Sequence, residues 1–244
     1  MTLLFFIIAL VYSSVGFGGG SSYIAALALF DYPYESIPVI ALICNLIVVS
    51  GGIYHFRNKG HFKWPLFWPY AVSSIPMAFI GGRIPISREI FLLLLGVCLF
   101  LIAARLFFLN RRAKDYSEYK MPRTSIAFLL GAVLGLIAGM VGIGGGIFLA
   151  PLLLHLRWGL PKQIAATAAL FILLNSLSGL TGQFVKGTSM IGLLDYWPLF
   201  LSVFIGGQIG SRLGSGAILS QRLIKDLTAL LVLFVSLRIL YMFI

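Results

Sequence analysis

Charged residues are scarce in this chain, at 10% of 244 residues, and all seven acidic side chains fall at segment ends or in one polar linker. Soluble domains carry about a quarter charged residues. The shortage therefore excludes a soluble globular domain. Ionisable groups within a membrane mark ion pathways, so the lack of a carboxylate deep in any apolar segment argues against a cation transporter built on buried acids and favours anion binding.

The residues that support catalysis or metal binding are also few. Cys44 and Cys98 lie inside apolar segments, without the spacing of a metal site or a disulfide framework. No nucleophile–base pair or cluster of metal ligands is evident, so we expect no catalytic residue, metal or cofactor, and a membrane-embedded enzyme is disfavoured. The histidines, His55, His61 and His155, lie near segment ends. A proton-coupled step is one use for them, although an interfacial position is more common.

Apolar residues make up 60% of the chain, and the mean hydropathy is +1.02. This composition indicates an all-α integral membrane protein. Most of the apolar segments approach the roughly 20 residues that cross a bilayer. Two of them contain glycine runs, at about 3–30 and 125–155. The other six are at about 37–56, 64–82, 89–108, 164–184, 196–210 and 223–243.

The net charge is +11, and the basic residues are scattered over loop ends and the linker 109–123. In membrane proteins such an excess belongs to cytoplasmic loops. We therefore expect membrane lipid as a partner and no nucleic acid.

Each glycine-containing segment carries four glycines in five positions, Gly16-Phe17-Gly18-Gly19-Gly20 and Gly142-Ile143-Gly144-Gly145-Gly146. We call residues 16–20 the first tip and residues 142–146 the second tip. Glycine disfavours a helix interior by about 1 kcal/mol against alanine, so both helices should break. Broken helices at matching positions in two halves of a chain indicate a transporter's binding site.

The chain also repeats itself in register. Trp64-Pro65-Leu66-Phe67 recurs as Trp197-Pro198-Leu199-Phe200, and Gly81-Gly82-Arg83 corresponds to Gly210-Ser211-Arg212. We therefore predict two tandem membrane repeats, 1–108 and 124–244, joined by a basic cytoplasmic linker, 109–123. Each repeat would hold a glycine-broken helix and three transmembrane helices.

The orientation of the repeats depends on the broken helix. If it crosses the membrane, the repeats are parallel. If it dips in and returns, they are inverted, and only Arg83, Arg88, Lys186 and Arg238 face away from the linker side. Because basic residues collect on one side, the inverted arrangement is favoured.

Each tip should expose the N-terminus of a new helix, with free N–H groups and a partial positive charge. Glycine lets an anion approach this backbone closely. The alternative is that the glycines only allow close helix packing. The predicted anion-binding residues at the tips are Gly18, Gly19, Gly20, Ser21, Ser22, Gly144, Gly145 and Gly146.

Polar residues elsewhere in the spans are further candidates. Asn45 and Asn175 are amides suited to anion contact or to helix packing. Thr167 and Ser176 are weaker candidates, because hydroxyls commonly bond back to their own helix. Gln208, one turn before Arg212, is a further polar group that would face the cavity. Arg83 and Arg212 are repeat-related cations that would attract anions at gates, or simply snorkel at span ends.

The paired Gly-x-Gly-Gly-Gly runs, Pro151 and the step Leu160-Pro161-x-x-x-Ala165 resemble the TauE/SafE sulfite-exporter family, also called the toluene sulfonate uptake permease family. The first repeat departs from the pattern, since it lacks the proline and carries Ser21 and Ser22.

The resemblance covers essentially the whole chain. It implies secondary transport of small sulfur-containing anions, such as sulfite, sulfonates or sulfoacetate, across the bacterial inner membrane by a multi-pass protein, with a proton or ion as a possible coupling partner. An anion channel of the same fold and a structural subunit are the alternatives.

Overall fold

A computed structural model describes residues 1–14, 16–58, 60–109, 123–156, 158–187 and 192–215, with positions 233, 236, 237, 240 and 241. Most of the predicted segment at 223–243 and nearly all of the linker 109–123 lie outside these residues. Within them the fold is all-helical, as predicted. The helices are α1 Thr2–Ser14, α2 Gly20–Leu29, α3 Ser36–Asn58, α4 Trp64–Arg83, α5 Arg88–Leu109, α6 Thr124–Val141, α7 Gly146–Leu156, α8 Pro161–Val185 and α9 Trp197–Ser215, with a short 3₁₀ turn at Leu193–Tyr196.

Both predicted helix breaks are present. The first apolar segment stops at Ser14 and restarts at Gly20, and the second stops at Val141 and restarts at Gly146. Gly19 and Gly145 take φ angles of 85° and 75°, a left-handed conformation that side chains rarely adopt. The glycines therefore set both where the helices end and how the chain turns.

Three of the described helices are long and apolar enough to cross a membrane, with spans at Ser36–Tyr54, Thr124–Val141 and Lys162–Val185. The helices at Thr2–Ser14 and Gly20–Leu29 are apolar but shorter. These lengths agree with an integral membrane protein whose broken segments consist of short arms.

The chain folds back on itself at each tip. A β-carbon at Gly145 would lie 3.3 Å from Ala138 Cβ and 3.5 Å from Leu134 O, on the preceding helix. In a continuous helix Leu134 and Gly145 would be roughly 16 Å apart. At the first tip a β-carbon at Gly19 would lie 3.1 Å from Ile8 Cγ2. Each tip is thus a reversal of the chain.

Helix α4 packs along α6 through a row of glycines. β-Carbons at these positions would meet main-chain atoms of α4: that of Gly131 would lie 2.5 Å from Tyr70 O, and that of Gly135 2.6 Å from Ser74 Cα. Gly139 continues the row against Ala78. The residue numbers of the contacting pairs increase together along both helices, so α4 and α6 run parallel.

A neighbouring face of α4 packs against α8, and the two helices run in the same direction. Ser178 Oγ donates a hydrogen bond to Ile75 O, 2.5 Å away. One turn further along both helices, Gly182 lies against Phe79 O. Helices α4 and α8 are therefore also parallel.

Helix α1 packs along α9 in the same manner. A β-carbon at Gly206 would lie 2.5 Å from Phe6 O and 3.1 Å from Ala9 Cβ, and one at Gly210 would lie 2.8 Å from the carbonyl carbon of Leu10. Glycine is needed here because the backbones touch. These contacts make α1 parallel to α9.

The buried apolar side chains form two main cores. The first draws mainly on α1, α2, α3, α5 and α9, and the second on α4, α6, α7 and α8. The tips lie where the cores meet, since Phe17 of the first tip packs against both of them, and Ile143 of the second tip belongs to the first core.

Candidate functional site

The two tips meet at one side chain, Asn45 of α3. Its Nδ2 donates a hydrogen bond to Ile143 O of the second tip, 3.2 Å away, and its Oδ1 lies against Gly18 of the first tip. A β-carbon at Gly20 would lie 2.6 Å from Asn45 Nδ2, and one at Gly144 would lie 2.8 Å from the same atom. Only glycine leaves room for this contact. The structure thus brings together four of the predicted residues, Asn45, Gly18, Gly20 and Gly144.

Each tip presents the beginning of a helix to this region. The first intrahelical hydrogen bonds reach Gly19 O from Ser22 and Tyr23, and Gly145 O from Phe148 and Leu149. The N–H groups that precede them belong to Gly20 and Ser21 in α2 and to Gly146 and Ile147 in α7, as the geometry of a helix start requires. These groups and the aligned peptide dipoles make both tips electropositive.

Hydroxyl groups surround the first tip. Ser22 Oγ and Tyr12 OH are hydrogen-bonded at 2.7 Å, in a buried pair. Ser21 is 1% exposed, and its Oγ has no hydrogen-bond partner among the described residues. Sequence reasoning missed Tyr12. A tyrosine in an otherwise apolar arm is the signal that points to it, since a buried tyrosine hydroxyl usually finds a partner.

The second tip is flanked by α8. A β-carbon at Gly144 would lie 3.0 Å from both Ser176 Oγ and Ile172 Cγ2. Asn175 donates from Nδ2 to Phe171 O of its own helix, at 2.8 Å. In the described part of the chain, Thr167 Oγ1, Asn175 Oδ1 and Ser176 Oγ are buried without hydrogen-bond partners. Ser176 is therefore the hydroxyl of α8 that contacts the tip.

Three predicted residues lie apart from the tips. Gln208 is half-buried, and its Nε2 would be 2.5 Å from a β-carbon at Gly51. Arg83 and Arg212 are exposed in the last turns of α4 and α9. These positions agree with span ends, and a gating role for the arginines stays a prediction.

A small cavity adjoins the first tip. Tyr12, Phe17, Ser21, Ile147 and Ile172 line it together with the tip glycines, and it has room for about one water molecule. An oxyanion of sulfur is larger than water. This cavity is therefore too small for such an anion.

Comparison with known proteins identifies the family of this chain. The family model described as sulfite exporter TauE/SafE matches residues 1–239. The chain belongs to the TauE/SafE sulfite exporter family. The resemblance expected from the glycine runs is thereby confirmed over nearly the whole chain.

Curated relatives of this TauE/SafE chain carry transporter names. A probable membrane transporter protein of Sinorhizobium fredii is 33% identical over 243 residues, covering 99% of this chain and 97% of its own. A probable membrane transporter protein of Methanocaldococcus jannaschii is 24% identical over 223 residues, covering 86% and 82%. No solved structure matches. These names indicate a membrane transporter rather than an enzyme.

Proposed function

We propose that the protein is a secondary transporter of small sulfur-containing anions, of the sulfite, sulfonate or sulfoacetate type, across the bacterial inner membrane. The observation that carries the proposal is the meeting of the two glycine tips at Asn45. Two helix N-termini that face one buried region form an anion site without a buried cation. The anion would bind to backbone N–H groups of residues 18–20 and 144–146, with help from Ser21 and Asn45.

We further propose that the two halves are inverted repeats, each with a re-entrant hairpin. Three packing registers support this arrangement. Helix α4 is parallel to α6 and α8, and α1 is parallel to α9. Helix α9 follows α8, so in a membrane it returns in the opposite direction. Helix α1 must then oppose α6, its counterpart in the second half.

Counterflow separates a transporter from a channel of the same fold, because a transporter binds its substrate in a site that opens to one side at a time.

Transport by the purified protein tests this proposal. We expect proteoliposomes to take up labelled sulfite with saturable kinetics, and uptake to accelerate when unlabelled sulfite is loaded inside. This counterflow arises because a loaded carrier returns by binding substrate on the far side. Flux that rises linearly with concentration and shows no counterflow would indicate a channel, and no flux of any sulfur oxyanion would contradict the proposed function.

The inverted arrangement predicts the side of each surface segment. In a Cys44→Ala, Cys98→Ala background, a cysteine at Thr2, in the exposed first turn of α1, should react with a membrane-impermeant maleimide added to intact cells. A cysteine at Ser117, in the basic linker, should react only after the inner membrane is opened. The reverse labelling pattern would contradict the proposed topology.

A further inference from the structure

The side-chain amide of Asn45 is held in one orientation, and its oxygen is left without a hydrogen-bond donor among the described residues. Its Nδ2 lies 3.2 Å from Ile143 O. Because a carbonyl oxygen accepts hydrogen bonds only, the nitrogen of the amide must face it, and this contact fixes which end of the amide is oxygen. The side chain is 0% exposed, and its Oδ1 has no hydrogen-bond partner among the described residues.

This unpartnered oxygen lies against the glycines of the first tip, which line the proposed anion site. It lies against Gly18, and a β-carbon at Gly20 would be 3.0 Å from it. Gly18 and Gly20 both line the cavity at the first tip. A buried acceptor without a donor is unfavourable, so the position calls for a donor that the described residues do not supply.

The unpartnered hydroxyls beside the tips make no such demand. Ser21 Oγ and Ser176 Oγ rotate to donate or to accept according to their partner. An amide oxygen can only accept. Asn175 Oδ1 is a second such oxygen, but its amide bonds to Phe171 O of its own helix. Asn45 bridges the two tips, so we take Asn45 Oδ1 as the atom that discriminates between a ligand with a hydrogen-bond donor and a ligand without one.

We infer that the transported anion carries its own donor, an O–H or N–H group next to its negatively charged oxygens, and donates it to Asn45 Oδ1. The inference rests on the proposed function and narrows its substrate class to hydrogen-bearing monoanions such as bisulfite. The electropositive tips would hold the charged oxygens, while Asn45 would reject a dianion, whose oxygens would face its own without a hydrogen between them.

A pair of anions of the same charge and nearly the same size tests this inference. Sulfamate carries an amino group on sulfur where methanesulfonate carries a methyl group, so only sulfamate offers a donor. We expect titration calorimetry on the purified full-length protein to show at least tenfold tighter binding of sulfamate, because methanesulfonate leaves Asn45 Oδ1 unpaired. Equal affinities would overturn the inference while leaving the proposed function in place.

Substitution of Asn45 assigns the preference to this residue. In Asn45→Ala the sulfamate-to-methanesulfonate ratio should fall to about one, whatever the loss of overall affinity. Ser202→Ala is the matched control, because the Ser202 hydroxyl bonds back to its own helix at Leu199 O, 2.7 Å away, and the ratio should stay at its wild-type value. A preference for sulfamate that survives in Asn45→Ala would contradict the assignment.

The pH dependence of the wild-type protein gives a readout that needs no variant. The affinity for total sulfite should fall about tenfold per pH unit once bisulfite loses its proton, while the affinity for sulfamate should stay constant. A sulfite affinity that is flat or rises in this range would overturn the inference. If sulfite, sulfamate, methanesulfonate and sulfoacetate all fail to bind, the proposed function itself is wrong.

Discussion

Gly145→Ala is expected to weaken anion binding at least a hundredfold. The φ angle of 75° at this residue is unfavourable for any side chain, and the new methyl group would lie 2.9 Å from Phe171 Cε1. The tip must therefore shift, and its N–H groups turn away from the anion. Losing about two charge-assisted hydrogen bonds of 1.5–3 kcal/mol each gives this factor. Titration of the purified protein with sulfite measures it.

Gly187→Ala is the control for this substitution. Gly187 has a φ angle of 88°, yet nothing lies within 4 Å of the position where its β-carbon would be. Alanine at this position introduces the same type of backbone strain, but it does so outside the tips and without meeting neighbouring atoms. Sulfite affinity should be unchanged. If Gly145→Ala binds sulfite as tightly as Gly187→Ala does, the second tip is a packing device and holds no anion.

Gly135→Ala is expected to destabilise the fold strongly. The β-carbon would lie 2.6 Å from Ser74 Cα and 2.8 Å from the carbonyl carbon of the same residue. These are main-chain atoms, so α4 and α6 must separate along their whole seam. Overpacking of this kind costs about 1–3 kcal/mol, which corresponds to a fall of roughly 2–12 °C in the unfolding midpoint. Thermal unfolding in detergent micelles measures the change.

Gly52→Ala provides the comparison, since Gly52 lies within helix α3 and its β-carbon would meet nothing within 4 Å. Alanine favours a helix over glycine by about 1 kcal/mol. Its unfolding midpoint should stay level or rise. Equal stability of the two variants would mean that the α4–α6 seam yields to a methyl group and is less tight than its backbone contacts indicate.

The sequence was sufficient to predict the helices and their breaks. Long apolar segments and consecutive glycines act locally. The positions of the glycines in the sequence therefore predict helix restarts near Gly20 and Gly146. The sequence did not predict which helices pack against each other. Close packing of α4 with α6 depends on Gly131, Gly135 and Gly139, whose spacing of four residues is visible, but nothing in the chain names the helix that they touch.

The candidate site was predicted in kind rather than in detail. Asn45 and Asn175 look equivalent by sequence, because each is an amide in the helix that follows the glycine-broken segment of its half. In the structure they differ: Asn45 bridges to Ile143 O of the other half, whereas Asn175 bonds to Phe171 O of its own helix. This difference depends on how the two tips pack together in three dimensions, and the local sequence around each asparagine does not predict that packing. Tyr12 differs, because a tyrosine in an otherwise apolar arm is a signal that the sequence does carry.

The exchange of α4 and α9 between the halves has a mechanical consequence. Helix α4 contributes to the core of the second half, and α9 contributes to the core of the first. The boundary between the two cores therefore lies where α3 meets α8, and not between the first and second halves of the chain. A rocking motion along this boundary would carry one helix of each half together with the core into which it packs. A polypeptide cut in the linker would then need both fragments in the same membrane to rebuild either core.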